Sequence, residues 1–152
     1  MAMKEDYCDY ELSKALKACG FDEPCDHYYT KEDAPEGAAW IVSTTDRENF
    51  NADSDCPFCK PLCSAPLLYH AQKWLREVAL LHVAVTPAIP TRKWQFYIDD
   101  LNQHVNPHDG ELMTRWDDDM QEKADGQFYD SYEQALSAGI TAALELIEQE
   151  NK

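Results

Sequence analysis

Lys93-Trp94-Gln95-Phe96-Tyr97-Ile98-Asp99 is the stretch that decides the fold, because apolar and polar side chains alternate along it. Successive side chains of a β-strand point to opposite faces of the sheet, so this pattern predicts a strand over 93–101. The apolar members would pack against helices on one face: Trp94, Phe96 and Ile98. Their neighbours would form a wetter face on the other side: Gln95, Tyr97 and Asp99.

A second stretch with period two, from His82 to Thr86, lies shortly before this strand. Pro87 and Pro90 stand between the two stretches, and proline interrupts strands and favours turns. The two stretches are therefore predicted to pair as an antiparallel hairpin.

Helical patterns flank the hairpin on both sides. Before it, Ser64 is predicted to cap a helix with Pro66 in the first turn, where a missing N–H does no harm. Helical spacing predicts a buried stripe on that helix: Ala71, Trp74, Leu75 and Val78. After the hairpin, Ser131-Tyr132-Glu133-Gln134 has the form of a capping box. The closing helix would bury Leu136, Ile140, Ala143, Leu144 and Ile147.

The rest of the chain gives weaker patterns. Residues 102–127 predict a long loop with a short strand near Leu112 to Trp116, and a last strand could cover Gln127 to Tyr129. Residues 64–150 therefore have the predicted order α-β-β-(β)-α.

Near the N-terminus, Asp9 and Gly20 bound a predicted helix from Tyr10 to Cys19. A strand over Trp40 to Thr45 and an exposed loop over Asn49 to Asp55 follow.

These elements predict an α+β protein with a small, mainly antiparallel sheet and helices packed on one face. We expect one domain over 1–152, because 152 residues suffice for one core and are few for two. Within it, the N-terminal segment 1–55, comprising a helix, irregular structure and one strand, would pack on the unit 64–150.

The formal net charge of −16 argues against binding to nucleic acid, because phosphate backbones are bound mainly by Lys and Arg. Residues 1–55 carry 14 acidic and 5 basic side chains, and residues 99–133 carry 11 and 2. Residues 56–98 carry 1 acidic and 5 basic side chains and form a positive island, which we expect to pair with acidic segments of the same chain.

No apolar stretch is long enough to span a membrane, and the first residues lack the apolar pattern of a secretory signal. Both observations predict a cytoplasmic location.

Cys56-Pro57-Phe58-Cys59-Lys60-Pro61-Leu62-Cys63 places three thiols within eight residues. Cys56, Cys59 and Cys63 could bind zinc with Cys25 as the fourth ligand, or with His27 or Cys8 in its place. The CPFC segment also matches a glutaredoxin tetrapeptide, but a polar loop precedes it where a redox site needs a buried strand. Reduced, unligated thiols are the third and favoured interpretation.

Other clusters are interpreted as structural. His104 and His108 fall in a loop where solvated imidazoles are expected, and Asp117-Asp118-Asp119 is interpreted as a hydrated acidic run rather than a Mg²⁺ site. The chain contains no phosphate-binding loop, dinucleotide fingerprint or nucleophile with a base, so no catalytic residue is predicted. The α-β-β-β-α order resembles double-stranded RNA-binding domains, whose second helix is basic, whereas Ser131 to Lys152 carries four Glu and one Lys.

Three segments carry a family resemblance: Gly20-Phe21-Asp22-Glu23-Pro24-Cys25, the helix entry Ser64-Ala65-Pro66 with Trp74-Leu75-Arg76-Glu77, and Tyr129 to Leu136. Together they resemble a family of short uncharacterised proteins of gut Bacteroidetes and their prophages or mobile elements. The resemblance covers most of the chain and implies a small cytoplasmic α+β protein without a known catalytic residue. The CPFC segment is not part of the shared pattern.

Three functional hypotheses follow. A complete set of core signals without a convergent catalytic set favours a non-enzymatic module that binds another protein through its wetter sheet face or acidic surface. The charge favours an acidic mimic of nucleic acid that inhibits a basic partner. The thiols favour a zinc-stabilised or thiol-redox domain. Apart from zinc, no cofactor is expected, and neither is a membrane partner.

Overall fold

The architecture comes from a computed structural model, which describes residues 6–52, 61–102, 104–113 and 126–150. Over these residues the chain combines three helices with small antiparallel sheets, so the predicted α+β class is confirmed. Its contacts divide it into two compact units, Met1–Leu68 and Tyr69–Lys152. That the whole chain is a single domain stays a prediction.

Helix α1 of the first unit, Tyr10–Ala18, confirms the predicted helix and both of its ends. The Asp9 carboxylate accepts a hydrogen bond from the Leu12 N–H at 2.8 Å, which satisfies one of the free donors of the first turn. Gly20 has a φ of +93°, and the Phe21 N–H donates to the Leu16 carbonyl at 3.0 Å. This left-handed glycine with a buried residue after it is a common way to end a helix.

A three-stranded antiparallel sheet follows, with the order β2-β1-β3. Its strands are β1 (Cys25–Thr30), β2 (Trp40–Glu48) and β3 (Cys63–Ser64). The predicted strand over 40–45 is confirmed as part of β2, whereas β1 was not predicted because its polar and aromatic residues lack a clear alternation. The Tyr29 hydroxyl donates to the Cys8 carbonyl at 2.7 Å and so connects β1 to the segment before α1.

Two predictions near β3 are wrong. Ser64 does not cap a helix: it lies in β3, where its hydroxyl accepts a hydrogen bond from the Phe50 N–H and its own N–H donates to Asn51 Oδ1. Phe50 is buried, so the part of the predicted exposed loop that the structure describes, residues 49–52, contains a core residue. Asp53 to Asp55 lie outside the described residues.

Helix α2 spans Leu68–Trp74 and continues as a π-helical segment, Leu75–Ala79. The wider π-helical turn rotates the following side chains away from the α-helical stripe. Ala71, Trp74 and Leu75 are buried as predicted, but Val78 is 59% exposed, so its place in the buried stripe is wrong.

The hairpin of the second unit is confirmed. Strands β4 (Leu81–Ala88) and β5 (Lys93–Asp100) pair antiparallel along their whole length. Pro87 lies within β4, opposite Trp94, and not in the turn where it was predicted. The turn consists of the four residues from Ile89 to Arg92, and its Ile89–Pro90 peptide bond is cis.

Helix α3, Tyr132–Glu150, packs on the inner face of the hairpin. The Ser131 hydroxyl accepts a hydrogen bond from the Gln134 N–H at 3.1 Å, which confirms the predicted cap. Gly139 brings the helix unusually close to the strands, because a Cβ at this position would lie 2.5 Å from Val83 Cγ1 and 3.0 Å from Phe96 Cγ. Between α3 and the strands lies the core of the unit: Leu81, Val83, Phe96, Ile98, Leu136, Ile140, Ala143 and Leu144.

The segment between β5 and α3 is described in part. Strands β6 (His104–Val105) and β7 (Leu112–Met113) form a small hairpin, and residues 114–125, including Trp116, lie outside the described residues. Tyr129 and Trp94 exchange two main-chain hydrogen bonds of 2.8 Å, so the predicted third strand is represented by a single bridge on the free side of β5.

Candidate interaction surface

The face of the β4–β5 hairpin opposite to the core, hereafter the outer face, is the strongest candidate for a binding surface. It consists of four cross-strand pairs: His82 with Asp99, Ala84 with Tyr97, Thr86 with Gln95, and Ala88 with Lys93. The predicted alternation is confirmed, since Phe96 and Ile98 are buried while Tyr97 is 46% exposed. Sequence alone therefore identified both faces of β5 correctly.

Tyr97 has the chemistry of a binding residue in this setting. Ala84 stands directly opposite and contributes only a methyl group, which leaves room beside the ring. Thr86 and Gln95 form the next pair and bring hydroxyl and amide groups close to it. A partly exposed tyrosine next to uncharged hydrogen-bonding groups is typical of the central part of protein interfaces.

The two ends of the outer face differ in charge. At one end the Lys93 ammonium lies 2.6 Å from an Asp130 carboxylate oxygen, and this contact lowers the pKa of Asp130. At the other end Asp99 is exposed opposite His82, whose Nδ1 is shielded from solvent without a hydrogen-bond partner among the described residues. With Lys93 neutralised by Asp130, the formal charge that remains is that of Asp99, which favours a basic partner.

The outer edge of β4 is blocked, so the outer face offers its side chains rather than a free strand edge. The Gln72 side-chain amide donates to the Val83 carbonyl at 2.7 Å, which occupies one main-chain acceptor on that edge. Pro87 has no N–H to offer further along the strand. Such devices protect edge strands from pairing with other chains.

The inner side of the hairpin carries a groove of about 560 Å³ between β5, the Tyr129 bridge and α3. Its lining mixes aromatic, small and polar side chains, among them Phe96, Tyr129, Ser137, Ala138 and Glu145. Sequence reasoning missed this groove. The small residues Ser137 and Ala138, next to the apolar stripe of α3, were the only signal for it.

Of the predicted metal ligands, the structure describes two, Cys25 and Cys63. Both are buried, on the neighbouring strands β1 and β3, and Cys63 stands opposite Tyr29, four residues along β1 from Cys25. Within the described ranges, no group of three His, Cys, Asp or Glu side chains could hold a metal ion.

Cys56 and Cys59 lie outside the described residues, so the four-cysteine zinc site stays a prediction. Elemental analysis of the reduced, purified chain tests it, since lack of stoichiometric zinc would remove it. Cys8 and His27, the alternative fourth ligands, are buried and half-buried respectively. His27 Nδ1 lies 2.7 Å from an Asp26 carboxylate oxygen.

Two of the described thiols, Cys25 and Cys63, are not activated nucleophiles. Burial raises the pKa of Cys63 to about 11, although Lys17 and Lys14 act in the opposite direction. Burial also raises the pKa of Cys25 to about 11, against a hydrogen bond from the Ser64 side chain. Because a thiol with a raised pKa stays protonated at neutral pH, these two residues do not supply the thiolate that redox exchange requires.

The remaining clusters keep their structural interpretation where they are described. His108 is exposed in the loop between β6 and β7, as expected for a solvated imidazole. The Asp109 carboxylate accepts hydrogen bonds from the Glu111 N–H and the Asn106 side chain, which shape this turn. The His104 side chain and Asp117 to Asp119 lie outside the described part.

No protein-family model, curated protein or solved structure matches this chain. Among the helices that the structure describes, none is both long and apolar enough to cross a membrane.

Proposed function

We propose that this chain is a non-enzymatic protein-interaction module that binds a basic partner protein through the outer face of the β4–β5 hairpin. The observation that carries the proposal is the exposure of Tyr97 at the centre of a sheet face whose opposite side buries Val83, Phe96 and Ile98 in the core. We also propose that the chain belongs to the family that it resembles, the short proteins of gut Bacteroidetes and their prophages or mobile elements. Its proposed location is the cytoplasm.

The partner's chemistry follows from the pairs on the outer face. Tyr97 can pack against an apolar or cationic side chain, and Thr86 and Gln95 can exchange hydrogen bonds around it. Tyr and other aromatic residues contribute a large share of binding energy when they lie at the centre of an interface. The net charge of −16 attracts a positively charged partner over longer distances.

Capture of partners from cells that carry the protein, with quantitative mass spectrometry, tests the proposal. Tyr97→Ala should reduce the recovery of specific partners about tenfold or more. Tyr69→Ala is the matched control, because Tyr69 is 65% exposed on α2 of the same unit and is not one of the outer-face residues. Equal recovery by the wild type and by Tyr97→Ala would contradict the proposal.

A second candidate is supported by the acidic side chains of the first unit. Of the eleven Asp and Glu residues in 6–52, nine are exposed: Asp9, Glu11, Asp22, Asp26, Glu32, Asp33, Glu36, Asp46 and Glu48. Glu11 is paired with Lys14 and Asp26 lies against His27. We propose as an alternative that these carboxylates occupy a basic groove where a partner binds nucleic acid. If so, added DNA competes for the captured partner. Capture that is unchanged by DNA excludes this alternative.

A further inference from the structure

The outer edge of β2, in the first unit, differs from the protected edge of β4. β2 is the terminal strand of its sheet, and within the ranges that the structure describes no strand pairs with its outer edge. Residues 40–45, Trp-Ile-Val-Ser-Thr-Thr, contain no charge, proline or glycine, and all except serine favour strands. Trp40 and Ile41 point to opposite faces and are 52% and 43% exposed. This part of β2 is therefore open at its edge and exposed on both faces.

The direction of the main-chain groups along β2 follows from its neighbours. The His27 carbonyl accepts a hydrogen bond from the Ala65 N–H, on the β3 side of β1. Since alternate residues turn their N–H and C=O groups to opposite sides, Tyr28 pairs with Val42 through hydrogen bonds on the β2 side. The N–H and C=O groups of Ile41 and Ser43 consequently point to the open edge.

The usual protection of an edge strand begins only after this stretch. A register shift leaves residues 44–47 of β2 opposite Asp26 alone, so that the strand bulges there. Arg47 is fixed in the bulge, where its guanidinium donates to the Pro24 carbonyl at 3.1 Å. Neither a bulge nor a charged residue interrupts 40–43, where β2 pairs regularly with β1.

The charges around this edge indicate the occupant. The loop that leads into β2 carries the exposed carboxylates of Glu32, Asp33 and Glu36, and the far end of β2 carries Asp46 and Glu48. Lys31 and Arg47 are the basic residues of residues 31–48. A second copy pairing antiparallel would bring the acidic end of one β2 towards the acidic loop of the other. A segment with basic ends would instead meet opposite charge on both sides.

We propose that the outer edge of β2 binds an extended peptide segment of a partner protein as an added strand, with β-branched residues at the centre of the segment and Lys or Arg at its ends. Main-chain hydrogen bonds to Ile41 and Ser43 hold the segment, as in other complexes formed by strand addition. Trp40 and Ile41 contact its side chains on either face. This site lies in the first unit and is independent of the outer face of the β4–β5 hairpin.

A synthetic peptide of alternating valine and threonine with a lysine pair at each end is the probe, and fluorescence anisotropy with the full chain measures its binding. Ser43→Pro removes the outward N–H and should weaken binding about tenfold, whereas Ser43→Ala keeps that N–H and should bind like the wild type. A peptide of the same charge with proline at its centre should bind as weakly as Ser43→Pro does. Equal binding of both peptides, or equal binding by Ser43→Pro and Ser43→Ala, would overturn the proposal.

Amide hydrogen exchange of the wild-type chain gives a readout that does not depend on the folding of a variant. Saturating peptide should slow exchange at the Ile41 and Ser43 amides, while the Val42 amide, already bonded to β1, should change little. Unchanged exchange at Ile41 and Ser43 contradicts strand addition. Sedimentation analysis of the chain without peptide tests whether a second copy occupies the edge instead. A dimer that dissociates in the Ser43→Pro variant would mean that β2 pairs with a second copy of this chain, and would overturn the proposal of a partner segment.

Discussion

Gly139 is the residue at which the second unit depends most on the absence of a side chain. A methyl group there would lie 2.5 Å from Val83 Cγ1, which is closer than two carbon atoms approach without displacement. Alanine is normally the better helix former by about 1 kcal/mol. The close approach of α3 to β4 and β5 therefore takes precedence over helix propensity at this position.

Gly139→Ala should lower the free energy of unfolding by about 1 to 3 kcal/mol, because the inserted methyl group forces α3 away from Val83 and Phe96. Thr141→Ala, an exposed change on the same helix, is the matched control and should stay within about 0.5 kcal/mol of the wild type. Urea denaturation followed by circular dichroism measures both. Unchanged stability of Gly139→Ala would contradict the close packing of α3 on the strands.

Buried titratable groups of the first unit make the free energy of unfolding depend on pH in the alkaline range. The pKa of Cys63 rises on folding from 9.0 to about 11 and that of Tyr29 from 10.0 to about 12, in both cases mainly through burial. As pH increases, the unfolded chain therefore loses these protons first. The stabilising effect is fully present below pH 9 and is lost as the pH approaches the folded-state values.

The free energy of unfolding should accordingly fall as the pH increases from about 9 to 11. Cys63→Ala removes one of the titrating groups, so its decline over this range should be shallower than that of the wild type, whatever its stability at neutral pH. Denaturant titrations at several pH values measure the two slopes. Parallel slopes would show that the Cys63 thiol does not have a raised pKa in the folded chain.

At the scale of elements, the sequence identified structures whose signals are local. α1 has its cap at Asp9 and its end at Gly20, and β5 shows a clean period of two, so neither depends on distant residues for its identity. Ser64 shows the opposite case: its pairing in β3 with Tyr28 brings together residues far apart in the chain, and that contact overrides the local capping pattern. The outer face was predictable from β5 alone, whereas its blocked edge was not, because the Gln72 contact with Val83 joins a helix to a strand.

The π-helical segment after α2 gives a direct test at this scale. It turns Val78 to the surface while Leu75 stays fully buried, although both positions belong to one α-helical stripe. Val78→Ala should change the free energy of unfolding by no more than about 0.5 kcal/mol. Leu75→Ala should lower it by about 2 to 5 kcal/mol because it leaves a cavity. Similar losses in the two variants would mean that the helix continues as a regular α-helix.

At the scale of the whole molecule, the negative charge determines which partners can approach. A net charge of −16 repels nucleic acids and other acidic proteins and attracts basic ones over distances of about a Debye length. Both proposed surfaces also favour a basic partner, because Asp99 remains unneutralised on the outer face and carboxylates flank the edge of β2.

Partner capture should therefore weaken as salt is raised from about 0.05 to 0.5 M, because screening shortens the range of attraction. The contacts of Tyr97 are short-ranged and should persist, so Tyr97→Ala should reduce capture at both salt concentrations. Capture that does not respond to salt would exclude the acidic-mimic alternative and would contradict the basic character of the proposed partner.

Site-specific photo-crosslinking tests the central claim most directly. A benzophenone amino acid in place of Tyr97, on the outer face, should form a covalent adduct with a basic protein when illuminated in cells. The same group in place of Tyr69, which is more exposed but lies on α2, should not form that adduct. An adduct formed only from position 97 is the predicted result. Adducts formed equally from both positions, or from neither, would contradict the claim that the outer face binds a protein partner.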